Sequence, residues 1–249
     1  MQKTHWYAIA LSLAALVFLV SIQARGKADA PDVEALVIEA QFAYKSGKIK
    51  DALIKYRSAA ELGSAAAMFQ VGAMHERGEG TNVNLHEAAR WYELAGDNGS
   101  SAALKRLGNM YLDGEGVPRD LDAAIRLFRR AGAAGDANAL FFLGQLFWTG
   151  TSVQRDAEKA AVEFGGAFKL GHPKAMNALG IAHRIGDGVE QSNAHAFAYF
   201  SLASELGDGS ATENLAKLSP IISEEQRIQG RALIEQFRRE IMPKNRFTN

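Results

Sequence analysis

The chain has 249 residues, with 28 basic and 28 acidic side chains and no cysteine. The even charge balance argues against nucleic acid as a partner, because phosphate recognition rests on a basic excess. The missing thiols exclude disulfide frameworks, thiolate metal sites, cysteine nucleophiles and cysteine-linked lipid anchors.

In chain order, the first element is an uncharged apolar run from Trp6 to Ile22, with Lys3 before it and Arg25 and Lys27 after it. Its 17 residues fall between the roughly 7–15 of a signal-peptide core and the roughly 18 or more of a membrane-spanning helix. Residues 1–30 therefore read as either a cleaved signal peptide, with small residues at Ala24, Gly26 and Ala28, or an uncleaved hydrophobic helix anchored in a membrane. Either way, the remainder of the chain is expected on the far side of that membrane.

Residues 31–64 contain Ala40, Tyr44, Gly47, Ala52, Tyr56 and Ala59, the pattern of one helix hairpin with a short turn. From residue 65 to 210 the pattern repeats with a fixed step of 36 residues: Gly72, Gly108, Gly144 and Gly180, each preceded by Val or Leu, then Ala95, Ala131, Ala167 and Ala203, with Gly99, Gly135, Gly171 and Gly207 closing each unit. Within one unit, Ala103, Leu107 and Tyr111 form one stripe of a helix. Gly114 and Gly116 then turn the chain. A second helix starts after Asp120, whose equivalents Asn84, Asp156 and Ser192 are also good N-caps. Asn84 with Glu87 has the spacing of a capping box. A single hairpin with one apolar side is not stable alone, whereas stacked hairpins bury those sides continuously. Residues 211–249 supply a further helix ended by Pro220, a capping helix from Ser223 (boxed by Gln226) to about Ile241, and a basic tail.

The consensus carried by Ala103 to Gly135, A-x3-LG-x2-Y-x2-G-x-GV-x2-D-x2-AA-x2-LF-x2-A-x3-G, resembles the Sel-one-like repeat (SLR) family, a longer-looped relative of the tetratricopeptide repeat. Four units cover residues 65–210, and residues 31–64 resemble a plain tetratricopeptide unit. The sequence departs from the pattern at Ser152 (second loop glycine), His75 and His183 (the tyrosine) and Glu163 (first aromatic of its pair). The resemblance implies an all-α fold, a right-handed superhelical solenoid of helix-turn-helix repeats. It further implies a non-enzymatic scaffold or adaptor that binds a protein or peptide in its concave groove, in a bacterial cell envelope and facing the periplasm. The competing readings on the same repeats are a cell-wall-associated enzyme and a glycan-binding module.

Chemistry-bearing residues give no catalytic, cofactor or metal assignment. The Gly-x-Gly loops recur in register with the repeat, and lack the strand and Lys-Ser/Thr pair of a phosphate loop. The six histidines show no zincin spacing, and His75 and His183 take the place of a packing tyrosine. The tail from Arg227 to Arg246 reads first as a solvated capping helix. Partner contact is expected instead on the first helix of each unit, which lines the groove in the tetratricopeptide family. Carried over through the Leu-Gly register, this selects Phe69, Lys105, Asn109, Leu112, Phe141, Gln145, Trp148, Asn177 and Arg184. Phe141 and Trp148 are apolar without being demanded by the repeat, and the carboxamides of Asn109 and Gln145 can both donate to and accept from a peptide backbone.

Overall fold

A computed structural model describes residues 32–241. These form twelve α-helices and, among the described residues, no strand. They are α1 (Val33–Lys45), α2 (Ile49–Glu61), α3 (Ala65–Arg77), α4 (Leu85–Asp97), α5 (Ser101–Asp113), α6 (Leu121–Ala133), α7 (Ala137–Thr149), α8 (Ala157–Lys169), α9 (Pro173–Ile185), α10 (Asn193–Glu205), α11 (Gly209–Leu218) and α12 (Glu224–Ile241). The hairpins α1–α2, α3–α4, α5–α6, α7–α8 and α9–α10 pack internally, and the second helix of each packs on the first helix of the next. The described residues thus form an α-solenoid in which neighbours supply one another's core. The apolar run 6–22 and the end of the basic tail lie outside the described residues. No described helix is long and apolar enough to cross a membrane.

The helix boundaries follow from local chemistry. Asn84, Asp120, Asp156 and Ser192 have extended backbone, and each side chain accepts from the N–H three residues on. This satisfies one of the donors a helix start leaves open. The capping box at Ser223 is complete in both directions. The one expected at Asn84 is half-formed: Asn84 N–H donates to the His75 carbonyl, and Glu87 pairs with Arg90 instead. The longer loop carries the chain back against the preceding helix end, so that N–H already has a backbone partner.

Each first helix of the four long-looped units ends on a left-handed glycine, at Gly78, Gly114, Gly150 and Gly186. Ser152 keeps the left-handed conformation of the loop glycine it replaces, with φ of 66°. Loop geometry is therefore the same in that unit, with a side chain placed where glycine fits better.

The core repeats as the sequence does. Tyr92, Phe128, Phe164 and Phe200 are almost fully buried, and burial of a ring of this size stabilises by about 1.5–3 kcal/mol. Each lies over the glycine of its own hairpin, Gly72, Gly108, Gly144 and Gly180 respectively. At the C-terminal end α12 covers α10 and touches α8. Its Phe237 stacks on Tyr199 at 4.6 Å and meets Phe168 edge-on at 5.4 Å.

Candidate functional site

The first two long-looped units commit much of this face to internal contacts. In the first, Phe69 tilts against Tyr92 at 5.5 Å. Glu76, at the end of the same face, accepts from Tyr92 Oη at 2.6 Å and is paired through both oxygens with Arg106 of the next unit. Burial by itself would raise the Glu76 carboxyl, but the bonds from Arg106 and Tyr92 together hold it below its ordinary range. In the second unit, Lys105 reaches Asp136 at 3.2 Å and Asn109 is half-buried. Leu112 is a correction. It is 6% exposed and belongs to the core, so it offers no surface to a partner.

The face opens between the third and fourth units. Phe141, Gln145, Trp148 and Thr149 of α7 and Lys174, Asn177, Ala178 and Ile181 of α9 border a cleft of about 370 Å³. Phe164 forms its floor, and Asp208 and Ser210 at the start of α11 close one end. Four of the residues expected from the sequence, Phe141, Gln145, Trp148 and Asn177, are thus brought together. Arg184 is half-buried farther along α9 and does not line the cleft.

The two rings are held from beneath. Phe141 and Trp148 both rest on Phe164, with centroid distances of 5.7 and 6.2 Å. Phe141 is also stacked on the imidazole of His172 at 4.5 Å. Arg155 lies over the Trp148 ring at 5.9 Å and is itself paired with Asp187. Gln145 stands exposed between the aromatics, and Asn177 accepts from Asn214 Nδ2 at 2.9 Å.

His172 fixes the junction. Its Nδ1 accepts from Ala175 N–H at 3.2 Å, capping α9, so the ring is neutral and its Nε2–H donates to Asn138 Oδ1 at 3.2 Å. Burial lowers its pKa, with Lys174 adding to the effect, which agrees with that neutral state. Beyond His172 a second hollow of about 480 Å³, reaching to Leu206 and Gly209, shares Phe141, Lys174, Asp208 and Ser210 with the cleft. The two form one groove across the first helices of the last units, apolar at its centre, with one cation and one anion on its rim.

His172, Lys174, Asp208 and Ser210 did not stand out in the sequence. Their signal is positional: each lies at or just after the N-cap of a first helix, next to Gly171 or Gly207. No group of three or more His, Asp or Glu with metal-binding arrangement occurs among the described residues. His183 and His195 stack on each other at 4.7 Å and His183 on Tyr199, a packing role in place of the tyrosine.

Comparison with known proteins agrees with this architecture. The Sel1 repeat model matches residues 65–100, 101–136, 137–163 and 173–208, more than half of the chain, and the protein belongs to the Sel1 repeat family. A Sel1 repeat protein from Oxalobacter formigenes is 29% identical, with a TM-score of 0.60 over 80% of this chain and 84% of that one. A protective antigen present in uropathogenic Escherichia coli strains, displaying an SLR fold, is 26% identical with a TM-score of 0.64 over 86% of this chain. This chain spans about half of that antigen, 47% of its length. No curated protein matches the chain. Sel1 repeats typically mediate protein–protein interactions and are generally non-enzymatic.

Proposed function

We propose that the protein is a cell-envelope adaptor that holds an extended segment of a partner protein in the groove between α7 and α9. The observation that carries this reading is the cleft itself. Two aromatic rings, immobilised on the buried Phe164, flank the exposed carboxamide of Gln145, and Asn177 faces them from the next unit. Preorganised rings present apolar area at little cost in side-chain entropy, and aromatic anchors of this kind dominate interface energies. A carboxamide between them can bond a peptide group in both directions. The one imidazole bordering the groove, His172, is engaged through both nitrogens with Ala175 N–H and Asn138 Oδ1, which favours binding over turnover as the chemistry of this site.

The envelope assignment is supported by the apolar run 6–22 and its flanking charges. A reporter fused after Asn249 should be active only beyond the membrane, and activity in the cytoplasm would reverse that assignment. The groove is tested with Gln145→Arg, which places bulk and charge at an exposed site without touching the core. Affinity capture from native cells should lose its partner with Gln145→Arg and keep it with Val162→Arg, a similarly exposed position on α8 (Val162 is 69% exposed). Equal capture by both variants would refute the groove. Loss of capture by both would point to another face.

A further inference from the structure

The first helices α1, α3, α5, α7 and α9 all have 13 residues, so positions correspond directly. The tenth residue is Met74, Met110, Leu146 and Ala182 in α3, α5, α7 and α9, and all four are buried. In α1 it is Phe42, which is 72% exposed, and Ile38 on the same face is 59% exposed. The seventh residue, buried as Val71, Leu107, Leu143 and Leu179 elsewhere, is here Glu39, paired with Lys55. So α1 turns outward the face that later units bury in the stack.

The sequence before Asp32 lacks the alanine with which the other units end their preceding helix. Five residues before the N-caps Ser64, Ser100, Asp136, His172 and Asp208 stand Ala59, Ala95, Ala131, Ala167 and Ala203, all fully buried. Five before Asp32 stands Lys27. A charge thus stands at the sequence position where the other units carry a buried methyl group.

Beyond Phe42 the surroundings of this face are basic, whereas Glu34 lies one turn before Ile38 and Glu39 is neutralised by Lys55. Lys45 lies two helical turns from Ile38 on the same side, and Lys48 and Lys50 follow, all exposed. Nine residues, 23–31, separate Ile22, the end of the apolar run, from Asp32. That is at most about 35 Å of chain. An aromatic and an aliphatic side chain flanked on their C-terminal side by three lysines, on a short tether from an apolar segment, match the chemistry of a lipid surface.

We propose that the outer face of α1 seats on an anionic bilayer, with Phe42 and Ile38 among the headgroups and Lys45, Lys48 and Lys50 on lipid phosphates. This rests on the reading of residues 6–22 as a retained membrane segment. The chain has no cysteine, so Phe42→Cys in the full chain can carry one environment-sensitive fluorophore, with Ile228→Cys on α12 as the distant exposed control. Both proteins are reconstituted into vesicles of phosphatidylcholine alone or with phosphatidylglycerol, and vesicle flotation is scored separately. The expected result is a blue shift and quenching by lipid-borne quenchers at position 42 only. Both should be stronger with phosphatidylglycerol and be reduced by salt or by Lys48→Glu with Lys50→Glu. If the protein floats but the probe at position 42 stays as wet as that at position 228, the seating is wrong and the anchor stands. If it does not float, anchor and seating fail together. A blue shift without vesicles, together with disulfide-linked dimers of the unlabelled Phe42→Cys variant, would assign the face to a second copy and overturn the proposal.

Discussion

A Cβ added to Gly144 would lie 2.5 Å from Cδ1 of Phe164. The glycine lets the second helix of the hairpin bring its ring against the backbone of the first, and the same ring then carries Phe141 and Trp148 from below. One contact thus sets both the packing of the unit and the floor of the groove. Gly144→Ala should lower stability by about 1–3 kcal/mol, the usual cost of overpacking. Gly165→Ala, where an added Cβ meets nothing within 4 Å, should instead raise it by about 0.5–1 kcal/mol, because the helix gains propensity. Urea melts of the two variants check the opposite signs.

Ser152 occupies a left-handed position that its three counterparts fill with Gly80, Gly116 and Gly188. Ser152→Gly should therefore raise stability by up to about 1 kcal/mol, the left-handed strain relieved less the entropy glycine adds to the unfolded chain. A thermal melt with an unchanged or lower midpoint would show that the serine side chain contributes more than its strain costs.

Glu163 is 4% exposed and accepts two bonds, at 2.8 and 2.7 Å, from Arg129 in the preceding unit. Arg129→Ala would leave that carboxylate buried without its partner, at a cost of about 1–3 kcal/mol. Glu163→Leu restores the apolar type found at the equivalent Leu127, and should change stability by less than about 1.5 kcal/mol because the arginine is half-exposed and water can receive it. Comparing the two denaturation midpoints tests this asymmetry.

Burial lowers the pKa values of His75, His172, His183 and His195. The unfolded chain therefore binds protons more readily than the folded one in the range just below the ordinary histidine value. Stability should be fully present above about pH 6.5 and decline as the pH falls below it. Protonation of His172 also removes the acceptor that caps α9. Melting temperatures measured from about pH 8 to about pH 5 should fall at the acid end, and His172→Asn, which retains a capping acceptor, should flatten the decline.

The solenoid was legible because its period, caps and left-handed glycines are local or strictly recurrent: Asp120 caps the helix it precedes, and Phe128 recurs as Phe164 and Phe200. The groove was legible only in part. Phe141, Gln145, Trp148 and Asn177 share a face that the register identifies. Helical spacing does not reveal, however, that Leu112 at the same register is enclosed by its neighbours. Nor does it show that Glu76 is committed to Arg106, a partner 30 residues away. His172 did not stand out, since its stacking on Phe141 depends on how two units rotate against each other. Glu163 looked like a departure from the pattern because its compensating arginine is 34 residues distant.

The central claim is that a partner segment lies between α7 and α9. Its most direct test is a photo-crosslinking amino acid placed at Gln145 in the full chain in living cells, with Val162 on α8 as the exposed control. The account predicts a discrete protein adduct from position 145, none from position 162, and loss of the adduct when Trp148→Ala is added to a chain that retains its helical circular dichroism. An adduct from position 162 and none from position 145 would contradict it.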